Sequence, residues 1–305
     1  MVHCFLAWIV VQLVCVEVAA DYDYCGTDCN GTKHTVCKYP MGGGRLCENN
    51  VNVYLRKQEK LYILETLNNW RQVIAMGSEN WDKKVSYKYS QPPASNMMKL
   101  VWDGEMGMIA KRWADQCGKP LHDVCRRAMD GTEVGQNSYV SSYEDTGAIN
   151  LDRRVERTKR IHASLKSWFK EIEFLDPNYV HNYKSDFENT TSNYTQLAWG
   201  NTVYIGCGYT EFAMGGGTIE YRFICNFKPK GNLPGKPVYR TGEPCSQCPP
   251  KSSCSITWTT LCFNGEANDF EEPSIGMHIQ RASPLISLGM VLCLALFYHL
   301  HKRLS

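Results

Sequence analysis

The chain has 305 residues, and 43% of them are hydrophobic, which supports a packed core and excludes disorder along the whole chain. Its 33 basic and 31 acidic residues give a formal net charge of +2, so no strong electrostatic binding of nucleic acid is expected. The length fits either one large domain with appendages or two small domains.

The first 20 residues have the features of a secretory signal peptide. An apolar run extends from Phe5 to Val16, and the small residues Ala19 and Ala20 precede Asp21. No Lys or Arg precedes this run, so an uncleaved membrane anchor is the alternative. We predict cleavage after Ala20 and a protein that is secreted or displayed at the cell surface.

Most of the 15 cysteines lie outside the two apolar ends of the chain. Cys4 and Cys15 fall in the predicted signal peptide, and Cys293 falls in an apolar run near the C-terminus. The other 12 are an even number in an oxidising compartment, which predicts up to six disulfides and argues against a free thiol nucleophile. Four of them lie in a Gly-rich polar stretch that predicts a stapled N-terminal arm: Cys25, Cys29, Cys37 and Cys47.

Three segments, 58–76, 98–117 and 155–174, place apolar residues at helical spacing and predict helices. We expect these residues to form core rather than a cofactor site. Residues 77–95 predict a loop, and residues 141–156 predict a polar insertion. The predicted inward faces are, in chain order, Ile63, Leu67, Trp70 and Ile74, then Trp102, Met106, Ile109, Trp113 and Cys117, then Ile161, Leu165, Trp168 and Ile172.

Three later segments, 194–199, 203–209 and 219–227, are rich in aromatic and β-branched residues and predict strands. Helices that are followed by a short sheet indicate an α+β fold in which the two kinds of element pack in layers.

The composition changes from Lys228 onward to Pro, Gly and Lys, and four cysteines then fall within 18 residues. With so little apolar content, this part is expected to depend on its disulfides. Its Cys-x-x-Cys spacing, at Cys245 and Cys248, is that of a redox or zinc pair in the cytosol, but behind a signal peptide we expect disulfides. Residues 264–284 predict an acidic, flexible stalk.

A second apolar run, residues 285–300, is short for a spanning helix, which needs about 20 residues. It is either a single membrane span with a basic cytoplasmic tip or a signal that is replaced by a glycolipid anchor, with Ser274 and Gly276 as the small residues ahead of a spacer. The basic residues Lys302 and Arg303 that follow the run favour the span.

Two long segments resemble the signatures of the CAP superfamily, which comprises cysteine-rich secretory, antigen five and pathogenesis-related proteins. They are residues 193–199, NYTQLAW, and residues 223–232, FICNFKPKGN. Three shorter segments, QPPA at 91–94, LVWD at 100–103 and VGQN at 134–137, resemble insect venom antigen five. The resemblance covers residues 22–233.

This resemblance implies a three-layer α-β-α sandwich. It makes residues 21–233 the CAP domain and residues 234–263 a module that is similar to the hinge of cysteine-rich secretory proteins. It also implies how the cysteines pair. The implied pairs are Cys25 with Cys37, Cys29 with Cys125, Cys47 with Cys117, and Cys207 with Cys225, while Cys245, Cys248, Cys254 and Cys262 pair among themselves.

Many CAP domains place two histidines and two acidic residues around a central cleft that can hold zinc. By the resemblance, the matching positions here are His122, Gln136, Glu171 and Asn193. A neutral carboxamide is a poor zinc ligand, so neither zinc nor any other cofactor is expected. We expect His122 and Glu171 to form a hydrogen-bonded polar pair that lines the cleft.

The sequence contains no Gly-x-Ser-x-Gly elbow, no His-Glu-x-x-His helix and no Gly-rich phosphate loop. The resemblance implies a non-enzymatic extracellular protein that binds a lipid, a sterol or a partner protein. The alternative is a metal-assisted or serine hydrolase that uses His122 and Glu171. A toxin that acts on channels through its cysteine-rich tail is disfavoured, because the tail is short.

Three N-glycosylation sequons begin at Asn30, Asn189 and Asn193. A glycan on Asn193 would fill the cleft. We rank Asn30 and Asn189 above Asn193 as acceptors, because a position buried in a strand is shielded.

Overall fold

The computed structural model describes residues 24–26, 28–42, 54–78, 91–117, 121–145, 150–185 and 188–265, and all of these ranges fall in one compact unit. The predicted signal peptide, Cys47, nearly all of the predicted stalk and the apolar run 285–300 lie outside them, so these assignments stay predictions. Within the described ranges, no helix has both the length and the apolar character to cross a membrane.

The described ranges contain both helices and strands, and the last four elements are strands. Two 3₁₀ turns, Glu171–Phe174 and Pro177–Val180, follow the fourth helix. The helices and strands are β1 (Asp28–Cys29), β2 (Thr32–Lys33), α1 (Thr35–Lys38), α2 (Lys57–Ala75), β3 (Val101–Trp102), α3 (Gly104–Ala114), β4 (Gly135–Glu144), α4 (Asn150–Lys170), α5 (Glu188–Leu197), β5 (Tyr204–Gly215), β6 (Thr218–Lys228), β7 (Ser253–Cys254) and β8 (Cys262–Phe263).

A four-stranded sheet with the order β3-β5-β6-β4 forms the middle layer. β3 runs parallel to β5, and the other neighbours are antiparallel. β5 and β6 are joined by a tight turn in which Gly215, Gly216 and Gly217 have φ values of 93°, 62° and 85°. Glycine adopts this left-handed region without steric cost, so the turn explains the Gly-Gly-Gly sequence.

Helices cover both faces of this sheet. On one face α2, α4 and α5 share a single hydrophobic core with the strands, and Trp168 of α4 stacks on Phe223 of β6 with ring centroids 5.4 Å apart. On the other face α3 lies so close to β5 that a Cβ on Gly208 would lie 2.3 Å from backbone atoms of Lys111. The architecture is therefore the three-layer α-β-α sandwich that the resemblance implies.

The helix predicted at 58–76 is confirmed as α2, and its predicted inward face is buried. Its N-terminus carries a capping box, in which the backbone N–H of Arg56 donates to the carboxylate of Glu59 at 2.8 Å. Gly77, with φ of 63°, follows its last turn. The helix predicted at 155–174 is confirmed as α4 and the 3₁₀ turn that follows it, and its predicted inward face is also buried.

The helix predicted at 98–117 is too long at both ends, because α3 covers only Gly104–Ala114. Val101 and Trp102 form the parallel edge strand β3 instead. The helix begins after Asp103, whose carboxylate accepts a hydrogen bond from the backbone N–H of Met106 at 2.9 Å. The predicted inward residues of this segment are nevertheless buried.

The strands predicted at 203–209 and 219–227 are confirmed within β5 and β6, but the strand predicted at 194–199 is wrong. Residues 194–197 belong to α5, where Thr191, Tyr194 and Thr195 are buried at helical spacing. The β-branched and aromatic composition misleads here, because tertiary packing overrides a weak strand propensity. The polar insertion predicted at 141–156 includes the end of β4 and the start of α4.

Five disulfides join described cysteines. All five agree with the pairs or the grouping that the resemblance implies. Cys117 is also disulfide-bonded, but its implied partner Cys47 lies outside the described residues, so that pair stays a prediction. The five are Cys25–Cys37, Cys29–Cys125, Cys207–Cys225, Cys245–Cys254 and Cys248–Cys262.

The hinge-like module 234–263 is packed against the body of the protein. Leu261 is fully buried in the main hydrophobic core. The backbone N–H of Cys262 donates a hydrogen bond to the carbonyl of Met97 at 2.7 Å. The carbonyl of Cys262 accepts a hydrogen bond from the backbone N–H of Lys99 at 2.8 Å. The module therefore depends on the body as well as on its own disulfides.

Candidate functional site

The four positions that the resemblance assigns to the cleft come from four separate parts of the fold. His122 lies in the segment 121–134 that leads into β4, and Gln136 is the second residue of β4. Glu171 begins the 3₁₀ turn after α4, and Asn193 lies in α5.

Glu171 and Asn193 are in direct contact. The side-chain Nδ2 of Asn193 donates to Oε1 of Glu171 at 2.6 Å. The backbone N–H groups of Asn193 and Tyr194 donate to Oε2 of the same carboxylate at 2.8 Å and 3.0 Å. Both oxygens of Glu171 are therefore engaged by α5, and Asn193 supplies a neutral amide where the family pattern has an imidazole.

The environment of Glu171 acts on its pKa in two opposite directions. Burial raises the pKa of this carboxyl group, and that effect is the larger one. The hydrogen bonds from Asn193 and Tyr194 stabilise the carboxylate and lower the pKa in part.

Gln136 is only 7% exposed, and both ends of its amide are hydrogen-bonded. Its Oε1 accepts from the backbone N–H of Asp123 at 2.8 Å, and its Nε2 donates to Oδ1 of Asn226 at 2.8 Å. Gln136 thus joins the segment that carries His122 to the central strand β6.

His122 is exposed, whereas the next residue, Asp123, is buried. Burial raises the pKa of the Asp123 carboxyl group, which also accepts a hydrogen bond from the backbone N–H of Cys125 at 2.9 Å. The hydrogen bonds described for Glu171 come from α5, so the expected pair of His122 and Glu171 stays a prediction.

Sequence reasoning missed the contribution of Asn137. This residue is buried, and its Nδ2 donates to the carbonyl of Asn193 at 2.9 Å, which ties β4 to α5 beside Glu171. The segment VGQN at 134–137 contains Asn137, but a polar residue that is buried for structural reasons leaves no pattern in a single sequence.

The three sequons lie in different surroundings. Asn30 is exposed at the tip of the β1-β2 hairpin, where its φ is 53°. The side chain of Asn189 lies outside the described residues. Asn193 is bonded to Glu171, and the hydroxyl of Thr195, the third residue of its sequon, is buried and donates to Oδ1 of Asn232 at 2.7 Å. Asn30 thus stays a predicted acceptor with open access, and Asn193 has the least access of the described sequons.

Comparison with known families and proteins gives concordant matches. The model of the CAP (Cysteine-rich secretory protein) family matches residues 64–227. Venom allergen 5 of Microctonus hyperodae is 35% identical over 211 residues, which are 68% of this chain and 83% of that protein. Venom allergen 5 of Polistes dominula is 33% identical over 242 residues, which are 77% of this chain and 96% of that protein.

Two solved structures have the same fold. The crystal structure of Na-ASP-1 matches with a TM-score of 0.54 and 24% identity, over 72% of this chain and 50% of that chain. The structure of BmVAL-1 matches with a TM-score of 0.52 and 25% identity, over 68% of this chain and 95% of that chain.

Proposed function

Because the chain belongs to the CAP (cysteine-rich secretory protein) family, we propose that it is a non-enzymatic extracellular binding protein whose central cleft does not hold zinc. The support for an extracellular location is the likeness to two venom allergen 5 proteins. The ligand that we propose is a lipid, a sterol or a partner protein, and the support for this class is the family alone. Display at the cell surface through residues 285–300 is part of the same proposal.

The observation that carries the proposal is the hydrogen bonding of Glu171. A zinc ion on this carboxylate would have to displace or share three hydrogen bonds from α5. The other two matched positions that face inward, Gln136 and Asn193, offer amides in place of imidazole or carboxylate ligands. A metal centre needs ligand atoms that are free to bind the ion. Here the Glu171 carboxylate and the amides of Gln136 and Asn193 are engaged in hydrogen bonds within the protein.

The same contacts weigh against a hydrolase that uses His122 and Glu171. An acid that orients a catalytic histidine needs a free oxygen toward the imidazole. Both oxygens of Glu171 already accept hydrogen bonds from α5, so an imidazole would have to share an oxygen with these donors.

A zinc titration by calorimetry tests the proposal on the purified protein and its Asn193→His variant. We expect no heat of binding from the native protein and a single zinc site in the variant, because the new imidazole lies beside Glu171. An Asn178→His variant, which adds a histidine at an exposed position, is the matched control and should not create the site.

Tight binding of one zinc ion by the native protein would overturn the proposal if Glu171→Gln abolished it. In that case the hydrolase alternative would be tested next, by comparing esterase activity of the native protein and a His122→Ala variant.

A further inference from the structure

The two disulfides of the hinge-like module lie side by side. Cys245 is bonded to Cys254, and Cys248 is bonded to Cys262. The Sγ atoms of Cys245, Cys248 and Cys262 all lie within 4.8 Å of one another. One sulfur of the first disulfide is therefore next to both sulfurs of the second.

The two disulfides differ in their access to solvent. Cys254 is exposed, and Cys245 and Cys248 are partly exposed. Cys262 is fully buried. An external thiol can thus reach the sulfur of Cys254 directly, but it cannot reach that of Cys262.

The backbone at Cys245 is also unusual. Its φ of 62° lies in the left-handed region, which non-glycine residues seldom adopt because of the steric cost to the Cβ atom. Release of its disulfide would allow this residue to leave that conformation, which favours a reaction that frees Cys245.

We propose that the hinge-like module is a thiol–disulfide exchange site that reacts with an external thiol at Cys254. The thiolate attacks Sγ of Cys254, a mixed disulfide forms there, and the Cys245–Cys254 bond breaks. Cys245 leaves as a thiolate and carries the electron pair of the broken bond. Its sulfur is then the one that lies within 4.8 Å of the second disulfide.

The freed Cys245 thiolate attacks Sγ of Cys262, so that a Cys245–Cys262 bond forms and Cys248 leaves as a thiolate. Attack on Cys248 would instead release a charged sulfur at the fully buried Cys262, where water cannot solvate it. The Cys248 thiolate then attacks Cys254 in the mixed disulfide and expels the external thiol. The cycle exchanges two disulfides for two others, and it consumes neither an oxidant nor a reductant.

A Cys254→Ser variant tests the internal step without an added thiol, because it leaves Cys245 unpaired from the start. The purified variant is alkylated with N-ethylmaleimide, and its disulfides are mapped without reduction. We expect most of the label on Cys248 and a Cys245–Cys262 linkage. Label on Cys245 alone, with Cys248–Cys262 intact, would overturn the proposal.

The matched control is Cys25→Ser in the N-terminal arm. Among the described cysteines, only Cys245, Cys248 and Cys262 form a group of three sulfurs at such short distances. We therefore expect the label on Cys37 and an intact Cys29–Cys125 bond.

A second measurement does not depend on the folding of a variant. The native protein is incubated with reduced glutathione below stoichiometric amounts, quenched with acid and mapped at intervals. Glutathione should appear first on Cys254, at least tenfold faster than on the buried Cys207 and Cys225. Equal glutathione labelling of Cys245–Cys254 and Cys207–Cys225 would contradict the proposal. So would the absence of any glutathione label in the module.

Discussion

The sheet body and the two cysteine-rich appendages of this protein are held together in different ways. The body buries a large apolar core between its sheet and α2, α4 and α5, and it encloses a buried cation, Arg71. The appendages are the N-terminal arm, residues 24–42, and the hinge-like module, residues 234–263. They have short elements. The arm meets the body through a few hydrogen bonds, whereas the module forms a longer series of backbone hydrogen bonds with the body, from Gly235 to Cys262.

Arg71 joins several loops of the body to α2. Its guanidinium donates hydrogen bonds at 2.7 to 3.3 Å to five backbone carbonyl groups, those of Met98, Leu197, Trp199, Gly200 and Thr202. Burial lowers the pKa of Arg71 to about 9, so the group remains charged at neutral pH. The dipoles of these backbone carbonyl groups take the place of solvent.

The appendages have no comparable hub in their described residues. The fully buried apolar residues of the module are Val238, Tyr239, Leu261 and Cys262, and the arm buries His34 and Thr35. The comparison teaches that a disulfide-rich appendage can lack a large core of its own when it packs on a preformed body, because cross-links already limit the freedom of its chain.

The largest effect is expected from Arg71→Met. Methionine fills a similar volume but donates no hydrogen bond, so the carbonyl groups that Arg71 now satisfies would be buried without a donor. We expect a loss of roughly 3 to 5 kcal/mol in the free energy of unfolding, measured by urea denaturation. Arg71→Lys should lose most of the same stability, because one ammonium group cannot replace a planar fork of five donors.

Lys159→Met is the matched control for this prediction, because the Lys159 side chain is exposed and pairs only with Glu156 among the ion pairs described. It should change the free energy of unfolding by less than about 0.5 kcal/mol. An Arg71→Met protein that unfolds at the same urea concentration as the native protein would refute the role of Arg71 as a hub.

An intermediate effect is expected from Leu261→Ala. Leu261 is fully buried, and its truncation leaves a cavity between the module and the body, at a cost of about 2 to 4 kcal/mol. Amide hydrogen exchange should rise in residues 241–265 more than in β5 and β6, because the module would detach before the sheet opens.

Ile256→Ala provides the comparison within the module, because Ile256 is 95% exposed and buries little. In this variant, amide hydrogen exchange should equal that of the native protein throughout the module. Equal effects of the two substitutions would mean that the packing of Leu261 in the main core does not hold the module on the body.

Some elements of the layered fold were predictable from the sequence and others were not. α2 and α4 were predictable, because their apolar residues recur at helical spacing on one buried face. β4 was not, because only its first four residues are buried and the rest of the strand shows no regular alternation. α5 was mistaken for a strand, since Tyr194 and Thr195 have strand propensity but pack as helix residues.

The candidate site was predictable only as a set of positions. The resemblance aligned Gln136, Glu171 and Asn193 with the family pattern, but it did not indicate that Asn193 engages Glu171. Such a contact depends on tertiary geometry between a 3₁₀ turn and a helix that are 22 residues apart in the chain. Arg71 was also beyond prediction, because an arginine in a helix pattern is normally expected to face solvent.

The smallest effect concerns His34, a fully buried side chain of the arm. Its Nδ1 accepts a hydrogen bond from the backbone N–H of Val36 at 3.2 Å, and its Nε2 donates to the carbonyl of Arg127 at 2.9 Å. This arrangement requires the neutral ring, which also stacks on Tyr24 with ring centroids 4.7 Å apart. Protonation would place a second N–H against the N–H of Val36.

Burial lowers the pKa of His34 below its ordinary value of 6.5, although the Arg127 carbonyl and the carboxylate of Asp123 oppose this. The unfolded chain therefore binds a proton at a higher pH than the folded protein does. The contribution of His34 to stability is complete above pH 6.5 and is lost as the pH falls from there through the lowered pKa. The arm should loosen in this range before the sheet does.

His34→Gln isolates this contribution, because glutamine can both accept from Val36 and donate to Arg127 but does not titrate. Between pH 7 and pH 5, the thermal midpoint of the native protein should fall more than that of the variant, and proteolysis of residues 24–42 should accelerate only in the native protein. Asp123 has a raised pKa and is present in both proteins, so the part of its titration that does not depend on His34 cancels in the difference. Parallel pH profiles would show that the arm is held by its disulfides and not by the neutral imidazole.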